Sequence, residues 1–267
     1  MSKASLTLRP VRCVLWDLEG TIVPMDFVHR TLFPYASAGL ADYLASPEAE
    51  EMASGWLGAL RAEASQLRWP EGSPVWVVET GMDGADLRAA TPLLQWLIEQ
   101  DVKSPVLKAI QGRIWRRGYE TGQLRGELFA GVASGLGVLS DRGIRLAIYS
   151  SGSVEAQRLL LGYSTAGDLR NLISEWFDTG VGPKTDPQSY QRIADSLRLT
   201  PSSILFATDH LGEAAAAGTA GMPVALSLRG VIKPEDVSRL SPAPALVAED
   251  VMRAVVEFNL QAEELIP

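Results

Sequence analysis

Residues 13–24, CVLWDLEGTIVP, run from an apolar segment into Asp17, a second acid at Glu19, and then Gly20-Thr21. An uninterrupted apolar run marks a strand buried on both faces, the habit of parallel sheets in α/β proteins. Val11–Trp16 reads as such a strand. Asp17 then stands at its carboxyl end, where open α/β sheets collect their ligands.

The same grammar returns from Gly131 onward. A helical period over Val132–Asp141 leads through Arg142-Gly143 into an apolar run, Ile144–Tyr149, that stops at Ser150-Ser151-Gly152-Ser153. A helix over Val154–Leu161 follows, and another over Tyr190–Leu197, with Asp186 as N-cap and Pro187 at the first helical position. Ser203–Thr208 is a third strand and ends at Asp209. The alanine-rich helix Glu213–Ala220 stops at Gly221, before a strand over Pro223–Leu228. Strands alternating with helices predict a Rossmann-like, doubly wound parallel sheet with right-handed crossovers.

Between these halves the pattern changes. Apart from a short Val75–Val78 run, residues 25–130 lack strand alternation and predict helices over Glu48–Leu67, Leu93–Gln100 and Val106–Tyr119. Ser46-Pro47, Thr91-Pro92 and Ser104-Pro105 each pair a capping hydroxyl with proline at the next position. The expected organisation is a discontinuous α/β core, residues 1–24 and 131–267, interrupted by a helical cap over 25–130, with a final helix over Ala248–Glu264.

Composition narrows the function. The 267 residues are 46% hydrophobic, enough for a sizeable core, and no apolar stretch reaches the length of a membrane span. A net charge of −8 argues against nucleic acid or an anionic membrane as the partner. The single cysteine, Cys13, excludes an internal disulfide and suits a reducing cytoplasm. An anionic small substrate would need locally gathered positive charge, from a metal ion or a buried lysine.

Four signals meet that need: Asp17-Leu18-Glu19, Ser150-Ser151-Gly152, Lys184 and Asp209. A carboxylate can attack phosphorus to form an acyl phosphate, splitting one hard displacement into two, and Asp17 is the candidate nucleophile. Asp17 and Asp209 suit Mg²⁺, a hard cation that takes one or two carboxylates with substrate phosphate and water. Glu19 would add its main-chain oxygen and turn its side chain to the leaving group. Hydroxyls followed by glycine at a helix start can hold phosphate oxygens, and Lys184 would neutralise phosphate and aspartate charge. Glu213 reads either as an acid orienting a metal-bound water or as a charge favouring a helix start. His210 reads as a loop residue before it reads as a ligand, and Lys108, Gln111, Arg113 and Trp115 of the insertion as exposed charges or packing residues before substrate contacts.

This order of motifs resembles the haloacid dehalogenase superfamily. Within it DLEGT, LFPY at Leu32–Tyr35, IQGRIW at Ile110–Trp115, YSSGSVEAQRLLLGYSTAGDL at Tyr149–Leu169 and FDTGVGPK at Phe177–Lys184 look like the enolase-phosphatases of methionine salvage. The resemblance covers about residues 11–225. It departs at Ile22, where a second threonine is usual, and at His210-Leu211-Gly212, where valine and a later arginine are common.

The resemblance implies a bifunctional, Mg²⁺-dependent enzyme acting on a small phosphorylated diketone, 2,3-diketo-5-methylthiopentyl-1-phosphate, and a monomer is the expected state. It would enolise the diketone and then release phosphate, giving 1,2-dihydroxy-3-keto-5-methylthiopentene. By position Asp17, Glu19 and Asp209 match the metal site, Ser150, Ser151 and Lys184 the substrate site, and Asp17, Glu19 and Lys184 the catalytic set. The alternatives are a phosphatase of the same superfamily for another phosphomonoester and a non-enzymatic phosphometabolite-binding protein.

Overall fold

Strand β1, Cys13–Trp16, is fully buried and lies inside a parallel sheet. The computed structural model describes residues 11–66, 74, 76, 83–102, 104–229 and 232–263. Five further strands, β2 (Arg145–Tyr149), β3 (Glu175–Phe177), β4 (Ile204–Thr208), β5 (Val224–Ser227) and β6 (Leu246–Ala248), complete the order β3-β2-β1-β4-β5-β6. Every pair is parallel. The chain moves outward from β1 first to one side and then to the other. That reversal creates the crevice where ligands bind in doubly wound sheets.

Register fixes what reaches the crevice. Trp16 is level with Ile148 on one side and Ala207 on the other. Asp17, Ser150 and Asp209 therefore all leave the sheet at one edge, within a residue of the same level.

The chain divides into two units, Met1–Met25 with Arg125–Pro267, and Asp26–Leu124. The helical unit begins with a turn, α1 (Met25–Phe27), and a π-helical turn over Val28–Leu32. It continues through α2 (Phe33–Leu44), α3 (Pro47–Gln66), α4 (Gly84–Ala89), α5 (Thr91–Glu99) and α6 (Pro105–Glu120). Ser46 and Ser104 accept from Ala49 N and Leu107 N, as their capping positions predict. Thr91 does not cap: it is already helical, and its hydroxyl donates to Arg88 O at 2.6 Å. The Val75–Val78 run falls largely outside the described residues. Leu40, Leu44, Leu57, Leu60, Leu94, Leu97 and Ile110 close a core of this unit's own.

The α/β unit resumes at Arg125, six residues before the glycine where the sequence draws the boundary. Gly126 N donates to Tyr163 O, and Phe129 N to Ile22 O, so this stretch already belongs to the sheet unit. Its helices are α7 (Val132–Asp141), α8 (Val154–Gly162), α9 (Pro187–Leu197), α10 (Leu211–Thr219), the short α11 (Pro234–Val237) and α12 (Val251–Glu263). One sheet face, with Leu15, Ala147, Tyr149 and Phe206, packs on Tyr190, Ile193 and Leu197 of α9 and Ala214 and Ala217 of α10. Alanine at those points lets α10 lie close to the strands.

Candidate active site

Asp17 follows the last residue of β1 and is almost wholly buried. Its main-chain N–H donates to Ala207 O, which ties it to β4. Lys184 Nζ donates to Asp17 Oδ1 at 2.5 Å, and Thr21 Oγ1 donates to Oδ2 at 3.2 Å. A buried carboxylate needs such partners, because burial without them costs several kcal/mol.

Lys184 comes from the loop after β3. Tyr149 OH donates to Gly182 O at 2.9 Å, and Tyr190 OH to Lys184 O at 2.7 Å, so two buried tyrosines set the loop's path. The ammonium also pairs with Glu213 Oε2 at 2.8 Å and is thus held between two carboxylates. Burial opposes the charge on Lys184, but Asp17 and Glu213 outweigh it and raise its proton affinity. Lys184 stays charged throughout the working range.

Glu213 is the residue that sequence reading left outside the site set. It accepts from Thr208 Oγ1 at 2.9 Å as well as from Lys184. Its signal was its place one helical turn after Asp209. What could not be read was its partner, because Lys184 lies on a different loop. His210 caps α10 through Nδ1, which accepts from Glu213 N at 3.3 Å, so the ring has a structural use.

Glu19 turns to the second strand end. Ser150 Oγ, fully buried past β2, donates to Glu19 Oε2 at 2.9 Å and accepts from Gly152 N at 3.1 Å. Burial first, then the charge of Asp17, raises Glu19 above the ordinary carboxyl range, while Lys184 and Ser150 pull the other way. The loop thus joins Asp17, Glu19, Ser150 and Lys184 in one cluster.

Asp209 meets that cluster through Gly20. The glycine has φ +78°, a left-handed conformation that side-chain-bearing residues rarely adopt, and a Cβ there would lie 1.9 Å from Asp209 Oδ2. Replacing Gly20 by Ala is expected to push Asp209 aside, lowering turnover on the order of 10²-fold and stability by about 1–3 kcal/mol. Steady-state kinetics and thermal melting read the two losses.

Four carboxyls, from Asp17, Glu19, Asp209 and Glu213, face one ammonium. Among the described residues no three His, Cys, Asp or Glu side chains are grouped so as to hold a metal ion between them. Asp17 and Asp209 are hard oxygen donors of the kind Mg²⁺ takes together with substrate phosphate and water. Burial, then Asp17 and Glu213, raises Asp209 from 3.8 to about 6.

That rise has a sign. A carboxyl that binds its proton more tightly folded than unfolded loses stability as it ionises, between about pH 4 and pH 6, and regains it on acidification. Chelator-treated protein is expected to melt a few degrees higher at pH 5 than Asp209→Asn would predict from its own values at pH 5 and pH 7. Calorimetry of both proteins at the two pH values checks this, and an equal pH response contradicts it.

Within the helical unit, Arg113 pairs with Glu48 at 2.7 Å, Trp115 Nε1 donates to Leu32 O at 2.9 Å, and Gln111 is buried. Arg113 and Trp115 therefore have partners inside their own unit. No helix among the described residues is long and apolar enough to cross a membrane.

Comparison with known proteins places the chain in a family. The family model for haloacid dehalogenase-like hydrolases matches residues 11–221. The enolase-phosphatase E1 of Synechococcus elongatus is 45% identical over 219 residues, covering 82% of this chain and 89% of the relative. That of Drosophila mojavensis is 39% identical over 243 residues, covering 91% and 95%. The crystal structure of the UTR4 protein from Saccharomyces cerevisiae superimposes with a TM-score of 0.65 at 28% identity, covering 89% of this chain and 96% of that one. With an acidic loop after β1, serines after β2, a lysine after β3 and an acid after β4, the chain belongs to the enolase-phosphatase family of the haloacid dehalogenase-like hydrolases.

Proposed function

We propose that this chain enolises 2,3-diketo-5-methylthiopentyl-1-phosphate and then removes its phosphate, yielding 1,2-dihydroxy-3-keto-5-methylthiopentene. The observation that carries the reading is the buried Asp17–Lys184 contact at the carboxyl edge of β1, with Glu19, Ser150 and Asp209 around it. A binding protein has no need of a desolvated nucleophilic carboxylate; a phosphatase does.

In this reading Asp17 attacks phosphorus, the bond from phosphorus to the ester oxygen breaks, and Glu19 gives its proton to that oxygen. Glu19, now ionised, takes a proton from water as the water oxygen attacks the aspartyl phosphate. Phosphate leaves and Asp17 is regenerated. Lys184 offsets the charge on Asp17 and on the phosphoryl oxygens. Ser151 holds those oxygens, joined by Ser150 once its hydroxyl leaves Glu19, and the raised proton affinity of Glu19, set first by burial and then by Asp17, suits an acid. Asp17, Asp209 and the Glu19 main-chain oxygen would hold Mg²⁺, which would supply charge neutralisation for phosphoryl transfer. The helical unit is assigned the part of a cap, because the chain enters it directly after the Asp17–Glu19 loop.

The test is to incubate the purified protein with the diketo phosphate and Mg²⁺, following ultraviolet absorbance and free phosphate together. An enol signal preceding phosphate supports the proposal. Phosphate released with no enol points instead to a simple phosphatase, and neither product points to a binding protein.

A further inference from the structure

Gln157 lies on the first turns of α8 and is 1% exposed. Its Nε2 donates to Gly152 O at 2.8 Å and to Phe177 O at 2.9 Å. The first carbonyl belongs to the serine loop; the second ends β3. Phe177 O also accepts from Ser150 N at 3.2 Å, so one carbonyl gathers both the loop and the amide beneath it.

The amide is used as a donor at two points, and both bear on the same loop. A trans peptide sets its carbonyl and the following N–H in opposite directions. Holding Gly152 O against Gln157 therefore aims the Ser153 N–H away from it. On the loop's other flank, Ser150 Oγ bridges Glu19 Oε2 and Gly152 N. Ser153 caps α8 through Ala156 N, and Asp178 Oδ2 accepts from Val154 N. Loop shape is thus fixed on several sides, and among the described residues Gln157 reaches it from beneath with a side chain committed to two carbonyls. A partly buried carbonyl left without its donor is destabilised until it reaches water, so loss of this amide would favour loop conformations in which Gly152 O turns outward.

We propose that Gln157 is a positioning residue for phosphate recognition, clamping the Ser150–Gly152 loop to the end of β3 before substrate arrives. The inference rests on the serine loop being the phosphate site, and it adds the group that presets its shape. Gln157 touches no substrate itself; it acts through the Gly152 carbonyl.

Inorganic phosphate, titrated calorimetrically into the full chain with Mg²⁺ present, is the probe. Gln157→Met keeps the volume and removes both donors. It is expected to weaken phosphate binding about tenfold and to raise KM for the phosphomonoester similarly, with kcat falling less than threefold. Unchanged phosphate affinity in a folded Gln157→Met protein overturns the proposal, whatever happens to its melting temperature. If that variant does not fold, Gln157→Leu, which also lacks the donors, is read in the same titration with the same criterion. Ser151→Ala separates the two readings. Weaker binding in Ser151→Ala with none in Gln157→Met sinks the clamp alone, whereas unchanged binding in Ser151→Ala sinks the phosphate loop on which it rests.

Discussion

Asp17→Asn should abolish phosphate release, with turnover falling on the order of 10⁴-fold or more, the scale seen when a nucleophile is removed. The substitution is close to isosteric, and the amide oxygen of Asn can still accept from Lys184 or Thr21, the two groups that hold Asp17 in place. Folding is therefore expected to survive, while the group that bonds to phosphorus is lost. A phosphate assay under saturating substrate and Mg²⁺ reads the effect, and circular dichroism confirms the fold. Turnover above about one hundredth of the parent rate would exceed what an amide nucleophile can supply, and would move the attack to another residue or to water.

Lys184→Met carries the second large effect and touches both activity and stability. The ammonium lies between Asp17 Oδ1 and Glu213 Oε2, with about a tenth of its side chain exposed. Taking away one member of a buried charge cluster typically costs about 3–5 kcal/mol, because the partners stay buried without compensation. Turnover should fall on the order of 10²–10³-fold as the phosphoryl charge loses its fixed cation. The instability has a pH signature. Without Lys184 the carboxyls of Glu19, Asp209 and Glu213, already raised by burial, bind protons more readily still, so acidification should restore part of the lost stability. Denaturant unfolding at pH 7 and pH 5 checks this; a deficit that grows on acidification would contradict it. Lys184→Arg should recover stability better than rate, since a planar guanidinium cannot reproduce a compact ammonium between two carboxylates.

Much of the fold is legible because the central strands are buried on both faces. Val14, Leu146, Ile148 and Leu205 announce β1, β2 and β4 as apolar runs, and each run ends on the residue that enters the crevice. Edge strands give no such signal. β3 is three residues long and carries Glu175, while β6 is half-exposed and short, so neither forms a run. Helix α2 was missed for another reason. Pro34 reads as a break but sits in its first turn, where proline is tolerated, and the buried stripe Ala36, Leu40, Tyr43, Leu44 is diluted by small residues.

The site divides along the same line. Asp17, Ser150 and Asp209 could be read from strand ends, and Lys184 from the matching motif order. Glu213 and Gln157 each depend on one partner from a distant segment, Lys184 and Phe177 respectively, and no local pattern encodes such a partner. Glu19 is legible as the second acid of its loop, but its partner is not: the carboxylate accepts from Ser150 Oγ across the crevice from β1 to β2.

Trapping the covalent intermediate tests the central claim most directly. Acyl phosphates are reduced by borohydride, which converts an aspartyl phosphate to homoserine, so the protein is quenched during turnover of the diketo phosphate, reduced, digested and sequenced by mass spectrometry. Homoserine at position 17 is the expected result, absent when substrate is withheld. Phosphate release with position 17 recovered as unmodified aspartate, or with the mark on another carboxylate, would contradict it.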